Sequence, residues 1–209
     1  MTISLIHPSR GRPELGSQTA KKWVSSAGVP VQHIFSLDSS DPTHGAYEWL
    51  DLCLINDNTC VVEATNVAAK EAIGDILIYL SDDFDCFPDW GKVIEKEVKD
   101  FSPLWLLKVD DCLQGFEVPV LTIPIMSKGL YQRLGYFWHP EYRSMFCDEH
   151  LFWVCRKLGV LRNAPHIKFE HKHASVGKAP NDETYIRSSK NWDQGKALFA
   201  KHKSQGFHA

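Results

Sequence analysis

From Thr2 to Leu80 the chain alternates between apolar runs of strand composition and amphipathic stretches of helical spacing, with a breaker at each change. TISLIH (2–7) stops at PSRGRP. Residues 14–27 then read as a helix that ends at Gly28-Val29-Pro30, and residues 31–37 are a second strand that ends at DSSDP. A helix over about 63–73 closes at Gly74, and residues 75–80 form the next strand. Glycine is a stop signal because it enters the left-handed conformation without a Cβ clash, and proline because it cannot continue the hydrogen-bond ladder. Strands joined through helices run parallel and are covered on both sides. The rhythm therefore predicts an α/β fold, a mostly parallel central sheet with helices on both faces. Further on, strands are expected at 104–109 and 118–125, and a helix over 148–158 that Gly159 stops.

At 209 residues, 44% of them hydrophobic, the chain suits one well-cored domain and is short for two. No apolar run approaches the roughly 18 to 20 residues of a membrane span. MTISLIHPSR lacks the basic region and cleavage site of a signal peptide. Six cysteines with no CxxC pair suggest reduced thiols and a cytoplasmic location. From Lys168 onward eight Lys/Arg face four Asp/Glu, so a basic tail follows an acidic body. Such a tail is either a solvated helix or a surface for an anionic ligand. Neither GxGxxG nor GxxxxGK[ST] occurs, which argues against a dinucleotide-binding domain and a P-loop enzyme.

In open α/β sheets ligands bind beyond the carboxyl ends of the strands. Three polar clusters fall there: PSRGRP, DSSD and SDDFD. The last crowds Asp82, Asp83 and Asp85 behind a buried-looking strand, where like charges repel unless a cation screens them. Some of these acids would serve as helix caps in a purely structural reading. Read as ligands, hard oxygens in so short a span suit Mg²⁺ or Mn²⁺ bridging to phosphates. Arg10 and Arg12, flanking Gly11, suit planar recognition of a phosphate or a base. Downstream, MFCDEHLFWVCRKLG sets Asp148 and Glu149 at a helix N-terminus, where the macrodipole favours an ionised carboxylate. FEHKHAS offers His171 and His173, two residues apart and hence on one face of a strand.

Taken in order, these segments resemble a compact glycosyltransferase of the GT-A fold, close to the family 2 type. LIHPSRGRPELG is similar to the family's first strand and loop, which implies that Pro8, Arg10 and Arg12 face the donor. FSLDSSDP resembles the second strand, whose final acid, here Asp38, contacts the nucleotide base. EATNVAAKEAIGDILIYLSDD resembles the helix and strand before the DxD motif, with Asn66, which the resemblance implies is a donor-binding residue, and Gly74 in place. LGYFWHPEYRSMFCDEHLFWVCRKLG resembles the acceptor-side segment, where an acid opening a helix is the base. The sequence departs from the pattern at Ser81, which replaces the first DxD acid, at Thr65, where arginine is common, and at Cys147, where the family has glutamate.

The resemblance implies a donor-binding half (1–90) and an acceptor-side half (91–209) within one domain, and an inverting transfer from a nucleoside diphosphate sugar, UDP first among nucleotides. Mn²⁺ or Mg²⁺ would be held by Asp83, by Asp85 or Asp82, and by His171, with His173 the alternative; Asp82 otherwise contacts the donor. Asp148 is the expected base unless it only caps the helix, and Glu149 is its substitute one register away. Trp138 and His150 are expected beside the acceptor. SVGKAPNDETY reads as a flexible flap that brings Lys178 and Arg187 to the donor phosphates. A glycan is the expected acceptor, with a hydroxymethylated DNA base as the alternative that the basic tail permits and the net charge of −3 disfavours. Two rival readings are a nucleotidyltransferase, whose glycine-rich loop is missing from PSRGRPELG, and a non-catalytic nucleotide- or carbohydrate-binding module.

Overall fold

The first apolar run forms β1 (Ile3–Ser9), a strand with every residue buried. Its side chains alternate between faces, so Ile3 and Leu5 enter one core and Ile6 the other. The computed structural model describes residues 1–208. After β1 come α1 (Pro13–Ser26), β2 (Val31–Asp38), β3 (Leu52–Asn56), α2 (Val61–Lys70) and β4 (Ile76–Tyr79). Next are β5 (Phe84–Asp85), α3 (Trp90–Val98), β6 (Leu106–Asp110), β7 (Ile125–Ser127) and α4 (Lys128–Leu134). The chain continues through α5 (Cys147–Lys157), β8 (Leu161–Lys168), β9 (Glu170–His171), α6 (Glu183–Ser189) and α7 (Trp192–Ser204).

Seven strands make one sheet in the order β3-β2-β1-β4-β7-β6-β8, in which β7 runs antiparallel to both neighbours and the remaining pairs are parallel. Trp23 of α1 and Trp90 and Ile94 of α3 cover one face. Val62 and Ala68 of α2, Leu130 of α4 and Leu151 of α5 cover the other. The expected mostly parallel, doubly covered sheet is therefore present, and it runs unbroken from the strands of the first half into those of the second through the β4–β7 pair.

Two local expectations change. Residues 118–125 do not form a strand; only Ile125–Ser127 does. Pro119 and Pro124 lack the N–H that a ladder needs, and the chain turns between them with Val120 N–H bonded to the Val118 carbonyl. Conversely, LCLIN (52–56) joins the sheet edge as β3, pairing Leu52 with Ile34 and Asn56 with Asp38. Where α2 returns to the sheet, Gly74 passes so close to β1 that a Cβ would stand 2.6 Å from the Ser4 backbone nitrogen. Backbone cannot yield as a flexible side chain can. Gly74→Ala is expected to destabilise the fold by about 1 to 3 kcal/mol in denaturant melts.

Candidate active site

Beyond β4 the chain turns and buries two adjacent carboxylates, Asp82 at 4% exposure and Asp83 at 5%. They are held differently. Asp82 Oδ1 lies 3.0 Å from His7 Nε2, and His7 Nδ1 lies 2.9 Å from His33 Nε2, so a chain of two imidazoles reaches back into the sheet. The Thr19 hydroxyl donates to the Asp82 carbonyl. α1 can come this near only because Gly16 has no side chain: a Cβ there would meet Asp82 Oδ1 at 2.7 Å.

Asp83 faces the chain's far end. β5 and β9 pair antiparallel with Phe84 opposite His171, which sets His171 Nε2 3.3 Å from Asp83 Oδ2. The Tyr185 hydroxyl of α6 donates to the same oxygen. Asp83 Oδ1 and His171 Nδ1 are buried without any hydrogen-bond partner. Burial alone would raise the Asp83 pKa, but the bonds from His171 and Tyr185 outweigh it and hold the carboxyl well below the usual carboxylate range. His173, the alternative ligand, instead caps the turn after β9 by accepting from Ser175 N–H at 3.0 Å.

Arg12 supplies the opposing charge. Its guanidinium makes two bonds to Asp182, at 2.7 and 2.8 Å, and stacks 4.5 Å from the Tyr185 ring centre. Its Nη1 stands 3.9 Å from Asp82 and 4.0 Å from Asp83. Burial disfavours the charged guanidinium, yet the Asp182 bonds and the two neighbouring carboxylates more than offset it, so the pKa is raised.

The expectation for Asp85 is not met. Its carboxylate is taken up by Lys22 of α1 and by Lys172 at 2.6 Å, and the structure does not bring it to Asp83 and His171. Lys178 likewise pairs with Glu170 at the surface and is not aimed at the acid pair. The segment expected as a flexible flap contains the start of α6, capped by Asp182 accepting from the N–H groups of Thr184 and Tyr185.

Near the carboxyl ends of the first two strands, Pro8 is buried in β1, and Asp38 closes β2 beside it. Arg10 donates to Asp38 Oδ2, Ser40 donates to its Oδ1 through both N–H and hydroxyl, and Arg187 of α6 stands 3.9 Å away. Two arginines and one acid thus gather on this part of the rim.

α5 opens opposite. Phe146, at φ 69 in the left-handed region, turns the chain and packs against Trp192 and Phe199 of α7. Asp148 and Glu149 occupy the first turn. The partly buried Tyr79 has its pKa raised first by burial and then by Cys147, Asp83, Asp82 and Asp148. The expected effect of the helix N-terminus is present but outweighed. Backbone N–H groups do lower the Asp148 pKa, but burial raises it more, helped by Asp111. Glu149 is raised too, by burial and then by Asp148.

Three further residues have other roles than those expected. Trp138 is only 3% exposed and packs edge-on against Tyr79, so its ring is not open to an acceptor. His150 is fully buried under Tyr142, and burial, with His139 and His202, brings it down to about 3. Asn66 grips the chain at 137–138, its Oδ1 accepting from Phe137 and Trp138 N–H at 2.8 and 3.0 Å and its Nδ2 donating to the Trp138 carbonyl at 2.8 Å. Asn66→Ala, which strands three backbone groups, is expected to cost about 2 to 4 kcal/mol in denaturant melts and to leave nucleotide affinity near wild type.

Sequence reasoning missed Tyr185, Asp182 and the His7–His33 pair. A cap signal, Asp182 ahead of Glu183-Thr184-Tyr185, marks α6, and a histidine in each of two buried strands marks the other.

No protein-family model and no curated protein sequence matches the chain. Solved structures do. The mannosyltransferase PcManGT of Pyrobaculum calidifontis, in complex with GDP-Man and Mn²⁺, matches with a TM-score of 0.64 at 14% identity over 98% of this chain and 75% of its own. S. aureus TarS 1-349 in complex with UDP matches with a TM-score of 0.61 at 11% identity over 81% of this chain, and the match spans only 60% of that protein's length. The catalytic domain of Drosophila β1,4-galactosyltransferase 7, in complex with xylobiose, matches with a TM-score of 0.58 at 14% identity over 82% of this chain and 71% of its own. Identities this low speak to architecture, and with the strand order and the acid pair at the strand ends they give the chain the GT-A fold of these glycosyltransferases.

Proposed function

We propose that the chain is a metal-dependent, inverting glycosyltransferase that moves a sugar from a nucleoside diphosphate donor, UDP first, to an acceptor hydroxyl. The observation that carries this reading is Asp83. One of its oxygens meets His171, and the other is buried without a partner at the strand ends of a GT-A fold. A buried carboxylate kept ionised beside an imidazole suits a hard divalent cation better than it suits an apolar ligand. Mn²⁺ or Mg²⁺ held by Asp83 and His171 would supply positive charge to the departing diphosphate. The nucleotides in the complexes of TarS and PcManGT, UDP and GDP-Man, support the class of donor.

The other roles fall to this chain's own residues. Asp38 and Arg10 read the base at the end of β2, and Arg187 and Arg12 offer guanidinium groups to the phosphates. Asp82, fixed by His7, keeps Arg12 in place. Asp148 takes the proton from the acceptor hydroxyl as it attacks, and a pKa raised by burial makes it the stronger base. The acceptor is a glycan in the first instance and a hydroxymethylated DNA base in the second.

Incubation with Mn²⁺ and a panel of nucleotide sugars tests the reading. Metal-dependent release of nucleoside diphosphate is the expected result. Pyrophosphate released from a nucleoside triphosphate instead would make the chain a nucleotidyltransferase, and binding with no release of either would make it a non-catalytic module.

A further inference from the structure

We propose that His139, His150 and His202 form a zinc site, separate from Asp83, that ties the C-terminal helix to the acceptor-side half of the chain. The three imidazoles come from three places: His139 from the loop between α4 and α5, His150 from α5, and His202 from α7. Each pair of rings has its centres 4.7 Å apart, and one ligating atom from each lies within 4.8 Å of the others.

His150 sets this cluster apart from a core of satisfied histidines. The ring is wholly buried, its Nδ1 lies 3.1 Å from the Tyr142 hydroxyl, and its Nε2 has no partner at all. Leaving such a group unsatisfied costs about 1 to 3 kcal/mol, so it calls for a ligand. The surroundings are those of a metal-bound imidazole. Tyr142 holds the far nitrogen of His150, and the Glu141 carboxylate lies 3.2 Å from His202 Nε2. Hydroxyls and carboxylates on the outer side of ligating histidines fix their tautomer and aim.

Chemistry selects the metal. Three imidazoles are a nitrogen set, which suits Zn²⁺ and disfavours Mg²⁺ and Mn²⁺, the ions that suit the carboxylate at Asp83. Tetrahedral zinc takes imidazole nitrogens at about 2.0 to 2.1 Å, hence about 3.3 Å from one another, so ligating atoms within 4.8 Å of one another need to close by at most about 1.5 Å. A water would complete the fourth position. Phe207, whose ring centre is 5.6 Å from that of His150, covers the His150 side of the site, which fits a structural metal. α7 is also the anchor from which α6 reaches back to Asp83 and Arg12. A metal here would steady that anchor.

The test uses the full chain, stripped with a chelator and titrated with Co²⁺ and then Zn²⁺. Wild type is expected to take up one Co²⁺ with the intense visible absorption of tetrahedral cobalt, and one Zn²⁺ in competition with a chromophoric chelator. Asp83→Ala is expected to keep this site. His202→Asn is expected to weaken Zn²⁺ binding by on the order of 100-fold or more. A wild-type chain that gives no tetrahedral cobalt spectrum overturns the proposal, as does Zn²⁺ binding that vanishes in Asp83→Ala and survives in His202→Asn. Should His202→Asn fail to fold, the wild-type spectrum and its persistence in Asp83→Ala decide alone.

Discussion

Asp83→Ala is expected to abolish metal-dependent donor binding while the sheet stays folded. In titration calorimetry with UDP and Mn²⁺ the variant should bind on the order of 100-fold more weakly or worse, because loss of even an outer partner of a metal site costs about 10- to 100-fold. His171→Ala should act in the same direction, and His173→Ala much less, since His173 is spent on capping a turn. Stability supplies a second readout. The folded chain holds the Asp83 carboxyl well below its unfolded pKa, so its stabilising contribution is complete above about pH 5 and is lost only as pH falls through the folded value. Denaturant melts should therefore separate wild type from Asp83→Ala at neutral pH and bring them together in strong acid. Wild-type UDP affinity in the variant would remove Asp83 from the metal site.

The second large effect belongs to Asp148. A general base acts in the transition state, so Asp148→Asn should cut turnover by about 10² or more and leave donor affinity nearly unchanged. A helix cap would behave otherwise, because asparagine caps about as well as aspartate. Glu149→Gln is the control for register, and the larger loss in single-turnover transfer identifies the base. The raised Asp148 pKa adds a signature in pH. The acid limb of wild-type turnover should lie above the ordinary aspartate value of about 3.9, since the base is protonated sooner as pH falls. Near-normal transfer by a folded Asp148→Asn would exclude it from the mechanism.

How much of this was legible in the sequence depended on whether the determining contact was local. β1, β2 and β4 and the helices between them were readable because each carries its own period and its own stop, Gly28 or Gly74. β3 was not, because its apolar run, Leu52–Ile55, is short and has no glycine or proline stop beside it. The acid pair was visible as a crowding of like charge, and His171 through the family resemblance. Which acid faces His171 was hidden, since that depends on the β5–β9 register, and Asp85 is lost to lysines on α1 and after β9. Tyr185 and Asp182 reach partners 102 and 170 residues earlier, a separation no local pattern encodes. His150 was read from its place beside Asp148, yet helical geometry turns it two positions on, into the core and toward His139 and His202.

The central claim is that Asp83 and His171 hold a divalent cation on a nucleoside diphosphate at the strand ends, within reach of Asp148. A crystal structure of the chain with UDP and Mn²⁺ measures this most directly. The expected map has the manganese, located by its anomalous signal, bonded to Asp83 and His171, the base against Asp38, and the Tyr185 hydroxyl displaced from Asp83. Manganese bound away from Asp83, or UDP bound away from Asp38 with the Tyr185–Asp83 bond intact, would contradict it.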